Sequence, residues 1–251
     1  MIIMSPELAE LCGVHAGDGY LRNEGFRVEL DISGAVDEKE YYDVHLASLF
    51  KTIFQVTVSP QLFPSRGTYG FVIRDKLVVT TFQSLGFPSG AKTTIVRVPL
   101  QIMESKDSLL LCAFLRGLFD TDGTLHFRKY YGAGYASFKV SHHTYPLLSF
   151  VTVSPLFAQD ICFLLRQLGF TFNQYRYTPQ QSSAHITYRI TLNGVRNLER
   201  WMQLIGIGNG SKSSRYLLWK KQGYCPSRLT FAQRQALLND KSEPLSIRPI
   251  V

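Results

Sequence analysis

The chain has 251 residues, which suffices for one large domain or two modest ones. Hydrophobic residues make up 45% and charged residues 18% of it, and no run approaches the roughly 18 apolar residues of a membrane span. The composition therefore predicts a soluble globular protein. The formal net charge of +8 favours a polyanionic partner, which is either nucleic acid or an anionic membrane surface.

The cysteines and the N-terminus argue against several classes of protein. The four cysteines lie far apart without a Cys-x-x-Cys pair, which argues against a zinc knuckle or a disulfide framework. The stretch "MIIMSPELAE" lacks the basic region and cleavage site of a secretory signal, so we expect a chain that is not secreted. We interpret the cysteines as small buried apolar residues.

The first half of the chain predicts a helix that ends near "GDG", followed by alternating strands and helices. Period-2 alternation and apolar periodicity predict these later elements. In chain order they are a strand at 26–33, a helix at 38–54, strands near "TVSPQLF" and "TYGFVI", and a helix at 76–86.

The second half repeats this order. After an apolar helix that ends near "TDG", the patterns predict strands at 126–131, 136–141 and 149–154, a helix at 157–169, strands near "TFNQYRY" and "HITYRITL", and a helix at 195–206. We therefore divide the chain into an N-terminal half at 1–98, a linker at 99–107, a C-terminal half at 108–222 and a tail at 223–251. One short helix is expected in the tail, at 229–239.

Two segments of the halves align residue by residue. "LCGVHAGDG" (11–19) and "LRGLFDTDG" (115–123) match at both glycines and at the acid, with an offset of 122 minus 18, or 104 residues. Gly13 and Gly117 each lie four residues before Gly17 and Thr121, so each pair shares one helix face. Glycine inside a helix costs about 1 kcal/mol against alanine. We therefore predict that Gly13 and Gly117 form the interface between the two helices.

The acids at the ends of these helices are anomalous. A carboxylate at a helix C-terminus is unfavourable by a few tenths to about 1 kcal/mol, and two adjacent ones also repel. A divalent cation between Asp18 and Asp122 removes both penalties, and Mg²⁺, or another such cation as Mn²⁺, suits hard oxygen ligands. With a phosphate as further partner, this pattern predicts metal-dependent phosphodiester hydrolysis. Asp-Gly is also a common turn dipeptide, so a single copy alone would indicate only a helix cap.

The two segments resemble the paired motifs of a monomeric LAGLIDADG homing endonuclease, over roughly residues 5 to 221. The resemblance implies that Asp18 and Asp122 bind the catalytic metals, with the backbone carbonyls of Gly17 and Thr121 as further ligands. It also implies one catalytic lysine per half. The "GFPSGAKTT" and "GIGNGSKSS" stretches supply Lys92 and Lys212 at matching places, although a solvated loop charge is the alternative for both.

The first copy departs from the second at two positions. Ala16 stands opposite Asp120, so Asp120 is not expected to be a symmetric ligand. His15 stands opposite Phe119, and we expect it to be a core residue rather than a phosphate contact. In the family, a polar strand residue often sits near the metal-bound water, and Ser33 and Ser154 occupy the approximate positions.

The strands predict a DNA-binding surface. "HITYRITL" sets basic and polar residues on one face and apolar residues on the other. Such faces offer donors to base edges and phosphates, although any half-exposed sheet has a polar face. "FRVELDIS" is partly acidic and is a doubtful backbone binder. The predicted DNA contacts are Arg27, Ser33, His126, Arg128, Lys139, Ser154, Gln174, Arg176, His185, Thr187 and Arg189.

Together these features predict an α/β (α+β) fold made of a pseudo-twofold pair of αββαββα units. Two antiparallel sheets are expected to form a DNA-binding saddle with the motif helices packed at the centre. The resemblance implies a monomer that cuts both strands of a long double-stranded DNA site. We expect a free-standing, intron-encoded enzyme in the cytoplasm or another intracellular compartment that contains DNA.

Two alternatives stay open at this point. The first is a maturase of the same lineage that binds intron RNA and no longer cuts. The second is a basic module that binds RNA or an anionic membrane through charge alone. The second predicts neither metal dependence nor preference for one duplex sequence.

Overall fold

The structure is a computed structural model and describes residues 2–129, 142–179 and 185–240. The predicted strand at 136–141 and the predicted DNA contact Lys139 lie outside these residues. Within them, no helix is both long and apolar enough to cross a membrane.

The N-terminal half begins with a long helix and continues through two strand pairs. Ser5 starts the first helix because its hydroxyl accepts the backbone N–H of Leu8, and Pro6 suits the first helical position. The elements of this half are α1 (Pro6–Asp18), β1 (Gly19–Asn23), β2 (Val28–Ala35), a 3₁₀ turn (Val36–Glu38), a π-helical turn (Tyr41–Leu46), α2 (Ala47–Phe54), β3 (Gln61–Phe63), β4 (Thr68–Ile73) and α3 (Lys76–Ser84).

The C-terminal half repeats the order and adds helices at its end. Asp107 starts its first long helix by accepting the backbone N–H of Leu109 at 2.9 Å. The remaining elements are α4 (Leu100–Met103), α5 (Ser108–Thr121), β5 (Thr124–Lys129), β6 (His143–Thr152), α6 (Pro155–Gln167), β7 (Asn173–Tyr177), β8 (Thr187–Asn193), α7 (Val195–Leu204), α8 (Gly210–Gln222) and α9 (Phe231–Asn239).

Each half forms one antiparallel sheet of four strands. The strand orders are β1-β2-β4-β3 and β5-β6-β8-β7, which are the same order in the two copies. Buried positions alternate with exposed ones in β5, whereas the central strand β6 has a run of five buried residues; one side of each sheet packs against helices of the same half. The predicted mixed α/β fold with two antiparallel sheets is confirmed.

The helices α1 and α5 pack directly against each other at the centre of the molecule. A Cβ atom on Gly13 would lie 2.0 Å from the carbonyl oxygen of Phe114, and one on Gly117 would lie 2.1 Å from that of Glu10. Neither position has room for a side chain, so the two backbones touch. The glycines are what permits this approach.

A buried ion pair crosses the same interface. Glu10 on α1 is only 1% exposed and accepts hydrogen bonds from both guanidinium arms of Arg116 on α5. His45 lies 2.7 Å from the same carboxylate. These contacts hold the Glu10 pKa below its usual value against the opposing effect of burial. The pair fixes the register of the two helices.

Several elements differ from the sequence-based expectation. The predicted helix at 38–54 begins with a 3₁₀ turn and a π-helical turn, and the predicted linker contains α4. Strand β1 and helix α8 were not predicted. The tail carries α9, which begins two residues later than expected because Thr230 and Gln233 form a capping box at its start.

Candidate active site

The two motif aspartates lie side by side at the ends of the central helices. Asp18 is the last residue of α1, and Asp122 caps α5. A Cβ atom on Gly17 would lie 2.2 Å from Thr121 Oγ1 and 3.3 Å from the Asp122 carboxyl carbon. The helix contact therefore brings both motif ends into one site.

The carboxyl of Asp18 is strongly perturbed. Burial and, to a smaller extent, the nearby charges of Asp122 and Glu38 raise its pKa to about 7, while Lys212 acts in the opposite direction. Tyr42, in the π-helical turn, donates its hydroxyl to Asp18 Oδ2 at 2.7 Å. π-Helical turns are often found at functional sites, and here the turn brings a phenol to the acid.

Asp122 and the two lysines complete the site. Burial raises the pKa of Asp122, and the positive charges of Lys92 and Lys212 oppose that rise. Burial also lowers the pKa of both lysines, although the neighbouring carboxylates favour the charged ammonium. The site thus holds two acids and two lysines in mutual electrostatic contact.

The lysines are anchored to the backbone of the motifs. Lys92 Nζ donates to the carbonyl of Gly17 at 2.8 Å. Lys212 Nζ donates to the carbonyl of Phe119 at 2.9 Å and also to that of Thr121. Lys212 lies in the first turn of α8, is partly buried and donates to two backbone carbonyls, so it is not the solvated loop charge that was the sequence-based alternative.

The two lysines serve different parts of the site. Lys92 and Asp122 line one cavity of about 260 Å³. Lys212 neighbours Glu38 and Asp120 as well as both motif aspartates. Glu38 is held there by hydrogen bonds to Asn209 and to the backbone of Ala35. The site is therefore only approximately twofold symmetric, because the described C-terminal half places no matching glutamate beside Asp122.

The donor set suits a hard divalent cation. Two carboxylates face each other, and the carbonyls of Gly17 and Thr121, which already accept a lysine, have two lone pairs each. Among the described residues, no group of three or more His, Cys, Asp or Glu side chains is placed to hold a metal. Two protein carboxylates with remaining positions for water and phosphate is the arrangement that Mg²⁺ prefers.

Asp120 has a separate role from the motif acids. It is fully buried and accepts the backbone N–H of Gly208 at 2.9 Å, while Asn209 donates its amide to the Asp120 carbonyl at 2.8 Å. Asn209 is the N-cap of α8. Asp120 therefore fixes the start of the helix that carries Lys212, and Ala16 gives the first copy no equivalent.

The two remaining motif-related predictions have different outcomes. His15 is fully buried between Phe82 and Phe87, with ring centroids 4.9 and 4.6 Å away, and burial lowers its pKa. Ser154 is also buried: it donates to the Val96 carbonyl and caps α6. The prediction that Ser154 contacts DNA is wrong because its hydroxyl is committed inside the protein. Ser33 lies on β2 opposite Gly70, on the open side of the first sheet.

The open side of the second sheet is basic and polar. His126 and Arg128 of β5 alternate with buried Leu125 and Phe127. Thr187 and Arg189 of β8 pair with Tyr177 and Tyr175 of β7, so these four side chains share a face. His185 is exposed just before β8.

The register corrects two predicted contacts on this sheet. Gln174 and Arg176 pair with Ile190 and Tyr188, which places them on the side that packs against helices. Gln174 Oε1 accepts a contact from the Cys162 thiol of α6 at 3.6 Å. They are therefore not part of the open face.

The open side of the first sheet carries arginines beside acids. Glu29 on β2 is bonded to Arg27 at 3.2 Å and to Arg74 at 3.0 Å, while Arg22 lies 3.7 Å away. Arg27 is therefore already engaged. These contacts hold the pKa of the Glu29 carboxyl below its usual value, although burial opposes them.

Sequence reasoning missed two residues of the site, Tyr42 and Glu38. Both lie in the segment after β2, where the predicted helix gave no sign of a 3₁₀ turn followed by a π-helical turn. The available signal was a "DEKEYYD" stretch too polar for a purely structural helix start. It points at the site only once the fold is known.

Comparison with known proteins agrees with this geometry. Residues 110–206 match the family described as a LAGLIDADG-like domain. Structures of mesophilic variants of the homing endonuclease I-DmoI match over 80% of this chain and 95% of theirs, with 15% identity and a TM-score of 0.53. The meganuclease I-AabMI bound to uncleaved DNA matches over 93% of this chain and 98% of its own, with 10% identity and a TM-score of 0.53.

Two further matches complete the comparison. I-DmoI in complex with DNA and Mn has 14% identity and a TM-score of 0.53, over 80% of this chain and 96% of that one. A replication factor C small subunit from Methanocaldococcus jannaschii is 25% identical over 211 residues, which is 84% of this chain but only 10% of that protein. The chain thus spans about a tenth of the length of this curated relative.

The chain pairs two motif ends within one molecule, and its fold is that of the similar homing endonuclease structures. The resemblance of this chain to the monomeric LAGLIDADG homing endonucleases is confirmed.

Proposed function

We propose that this protein is a site-specific homing endonuclease that cuts both strands of a long duplex DNA site by metal-dependent hydrolysis. The observation that carries the proposal is the pairing of Asp18 and Asp122 at touching helix ends, with Lys92 and Lys212 beside them. Such an expensive concentration of buried charge indicates chemistry rather than packing. The two four-stranded sheets, one in each half, support a duplex as substrate.

The bound cation would be held by Asp18 and Asp122. Mg²⁺, or another divalent ion such as Mn²⁺, would supply Lewis-acid stabilisation of the phosphate and lower the pKa of a bound water. The similar I-DmoI structures are described as complexes with DNA and Ca or Mn, which supports a divalent ion here. The choice of Mg²⁺ rests on the oxygen donor set.

The side chains of the chain orient and neutralise the reacting groups. Tyr42 holds the Asp18 carboxylate in one orientation through its 2.7 Å hydrogen bond. The ammonium groups of Lys92 and Lys212 stabilise the negative charge that grows on the phosphate oxygens as water attacks phosphorus and one P–O bond breaks. Because burial lowers the pKa of both lysines, each can give a proton to the leaving oxygen more readily than a solvated lysine does.

The test is cleavage of a plasmid library that carries randomised duplex inserts, with Mg²⁺ or with EDTA. We expect a discrete double-strand break only with Mg²⁺, and no break with Asp18→Asn or Asp122→Asn. Glu7→Gln is the matched control, because it removes an exposed carboxylate from the same helix as Asp18.

Binding without cleavage would contradict the nuclease proposal. Tight duplex binding without cutting in any divalent metal would leave a binding protein, and an intron RNA would then be the ligand to test. We further propose that one chain suffices for activity, since both motifs lie in it. Encoding within an intron stays a prediction of the family resemblance.

A further inference from the structure

A second cavity lies in the C-terminal half, and none of the motif residues lines it. Its volume is about 830 Å³. Strand β5, helix α8 and the tail segment after α8 form its walls. The residues that line it are His126, Phe127, Arg128, Lys129, His143, Arg215, Cys225, Pro226, Ser227 and Arg228.

The described lining of this cavity is cationic and contains no carboxylate. Arg128, Lys129, Arg215 and Arg228 carry full positive charges there. Burial together with the charges of Arg189, Arg215 and Arg128 lowers the pKa of His126, as expected in a positive potential.

The tail is built into this wall rather than loosely attached. The backbone N–H of Cys225 donates to the His143 carbonyl of β6 at 3.0 Å. Arg234 of α9 is 2% exposed and donates to Ser214 Oγ at 2.8 Å and to the Ser211 carbonyl at 2.9 Å, both on α8. Arg228 has a φ of 67°, which is rare for a residue with a side chain. The tail thus presents Arg228 from a fixed, strained turn.

Helix α8 connects this cavity to the candidate active site. Lys212 in its first turn reaches the motif carbonyls, and Arg215 lines the cavity. The two residues are three positions apart, which is about 4.5 Å along a helix axis. A duplex whose phosphate lies at the active site therefore has neighbouring backbone phosphates within reach of Arg215.

We propose that the cavity binds backbone phosphate of the DNA duplex beside the cleavage site, with Arg215 and the tail residue Arg228 as its main contacts. This inference rests on the proposed function and gives the tail a role in it. Arginine suits the task because its planar fork binds two phosphate oxygens at once. Phosphate contacts position a protein on a duplex and carry no direct sequence information, so this contact would add affinity without sequence preference.

The experiment measures duplex binding as a function of salt in EDTA, so that no strand is cut. The probe is a long random-sequence duplex, and the variant is Arg215→Gln with Arg228→Gln. Each lost phosphate contact lowers the slope of log affinity against log salt by about 0.9, so we expect a decrease of about 1 to 2 and roughly tenfold weaker binding near physiological salt.

The control removes the same charge from the other side of the sheet. Arg166→Gln with Arg196→Gln changes two exposed residues on α6 and α7, which pack on the helix-covered side. We expect the salt slope of this control to equal that of the unmodified protein. Thermal unfolding of both double variants checks that the fold is intact.

The outcomes separate this inference from the proposed function. If the unmodified protein binds duplex DNA but the Arg215 and Arg228 variant keeps the same salt slope, the cavity is not a phosphate site and the endonuclease proposal stands. An equal loss in the control variant also overturns the inference, because net charge alone would then explain it. If the unmodified protein binds no duplex, both proposals fail.

Discussion

The two sheets have the same strand order, but the arginines on their open faces have different partners. On the N-terminal sheet, Glu29 contacts three arginines and Asp31 lies 2.7 Å from Arg66. On the C-terminal sheet, Arg128 and Arg189 contact tyrosine rings, with centroid distances of 4.8 and 5.5 Å. A tyrosine ring leaves the positive charge unneutralised, whereas a carboxylate cancels it.

This difference indicates that the two halves of a duplicated fold can contribute differently to DNA binding. The C-terminal face keeps a net positive potential that attracts a phosphate backbone. The N-terminal face holds its arginines in fixed positions, where acids and arginines together can discriminate among bases rather than add affinity. We infer that the C-terminal half supplies most of the duplex affinity of the protein.

The largest expected effect comes from the lysine of either half. Lys92→Gln and Lys212→Gln should each slow cleavage by roughly 10³-fold, because each removes a preorganised cation from the reacting phosphate. Since Lys92 lines the cavity beside Asp122 while Lys212 lies beside Glu38, each variant should slow one strand more than the other. Strand-resolved gels of end-labelled duplex measure this directly.

A matched control and a contrary result define this prediction. Lys51→Gln removes an exposed lysine from α2 and should cut both strands at the normal rate. If Lys92→Gln and Lys212→Gln both slow the same strand, the prediction is contradicted, because the two halves then do not act on separate strands.

The next effect is a pH dependence of the free energy of unfolding that comes from Asp120 in the C-terminal half. The N-terminal half has Ala16 at the matching position. Burial raises the pKa of Asp120 from 3.8 to about 7. The folded protein therefore binds this proton more tightly than the unfolded chain does. The stabilisation is complete below about pH 4 and is lost as pH rises through about 7; the shift of about 3 pKa units corresponds to roughly 4 kcal/mol at about 1.4 kcal/mol per unit.

The test uses chemical unfolding at several pH values in EDTA. Asp120→Asn retains an oxygen that accepts the Gly208 N–H but cannot ionise, so its unfolding free energy should fall less between pH 4 and 7. The control is Glu104→Gln, which removes an exposed carboxylate. Asp107 is not used because its carboxylate caps α5. Equal pH slopes for Asp120→Asn and the unmodified protein would contradict the assignment.

A smaller effect is expected from converting the first face to resemble the second. Glu29→Gln releases Arg27 and Arg74 from their carboxylate partner. Binding of a random-sequence duplex should become about five- to tenfold tighter, with a steeper salt slope. Glu24→Gln, an exposed change nearby, is the control. Unchanged binding by Glu29→Gln would show that the first face does not approach the duplex backbone.

The smallest effect is expected from a single arginine on the second face. Arg189→Gln should weaken binding to the same duplex about fivefold and lower the salt slope by about 0.9, which corresponds to one phosphate. Its exposed neighbour Tyr175 provides a control, because Tyr175→Phe keeps the ring and changes no charge. A salt slope that Arg189→Gln leaves unaltered would place this side chain outside the interface.

Much of the fold was predictable because its patterns are local. The strand at Thr68–Ile73 and the helix from Lys76 follow their hydrophobic periods closely. The repeat of glycine and aspartate also predicted which helices meet. These patterns are visible in the sequence because the buried faces of both halves require apolar residues at regular spacing and glycine at the helix contact.

Other features depend on contacts that a single sequence does not disclose. Helix α8 has a polar sequence, and it is stabilised by Asp120 at its start and by Arg234 of the tail, both distant in the chain. The helix-side placement of Gln174 depends on the strand register with Ile190. The site role of Tyr42 depends on a π-helical turn that no local pattern signalled.

The glycine contact between α1 and α5 has a consequence for the symmetry of what the protein can read. Gly13 and Gly117 fix an approximate twofold axis, yet both belong to one chain. In a homodimer every substitution on a sheet would appear twice, whereas here each face varies independently. A duplex lying across both faces is therefore read as two unlike half-sites, and its sequence has no need to be a palindrome.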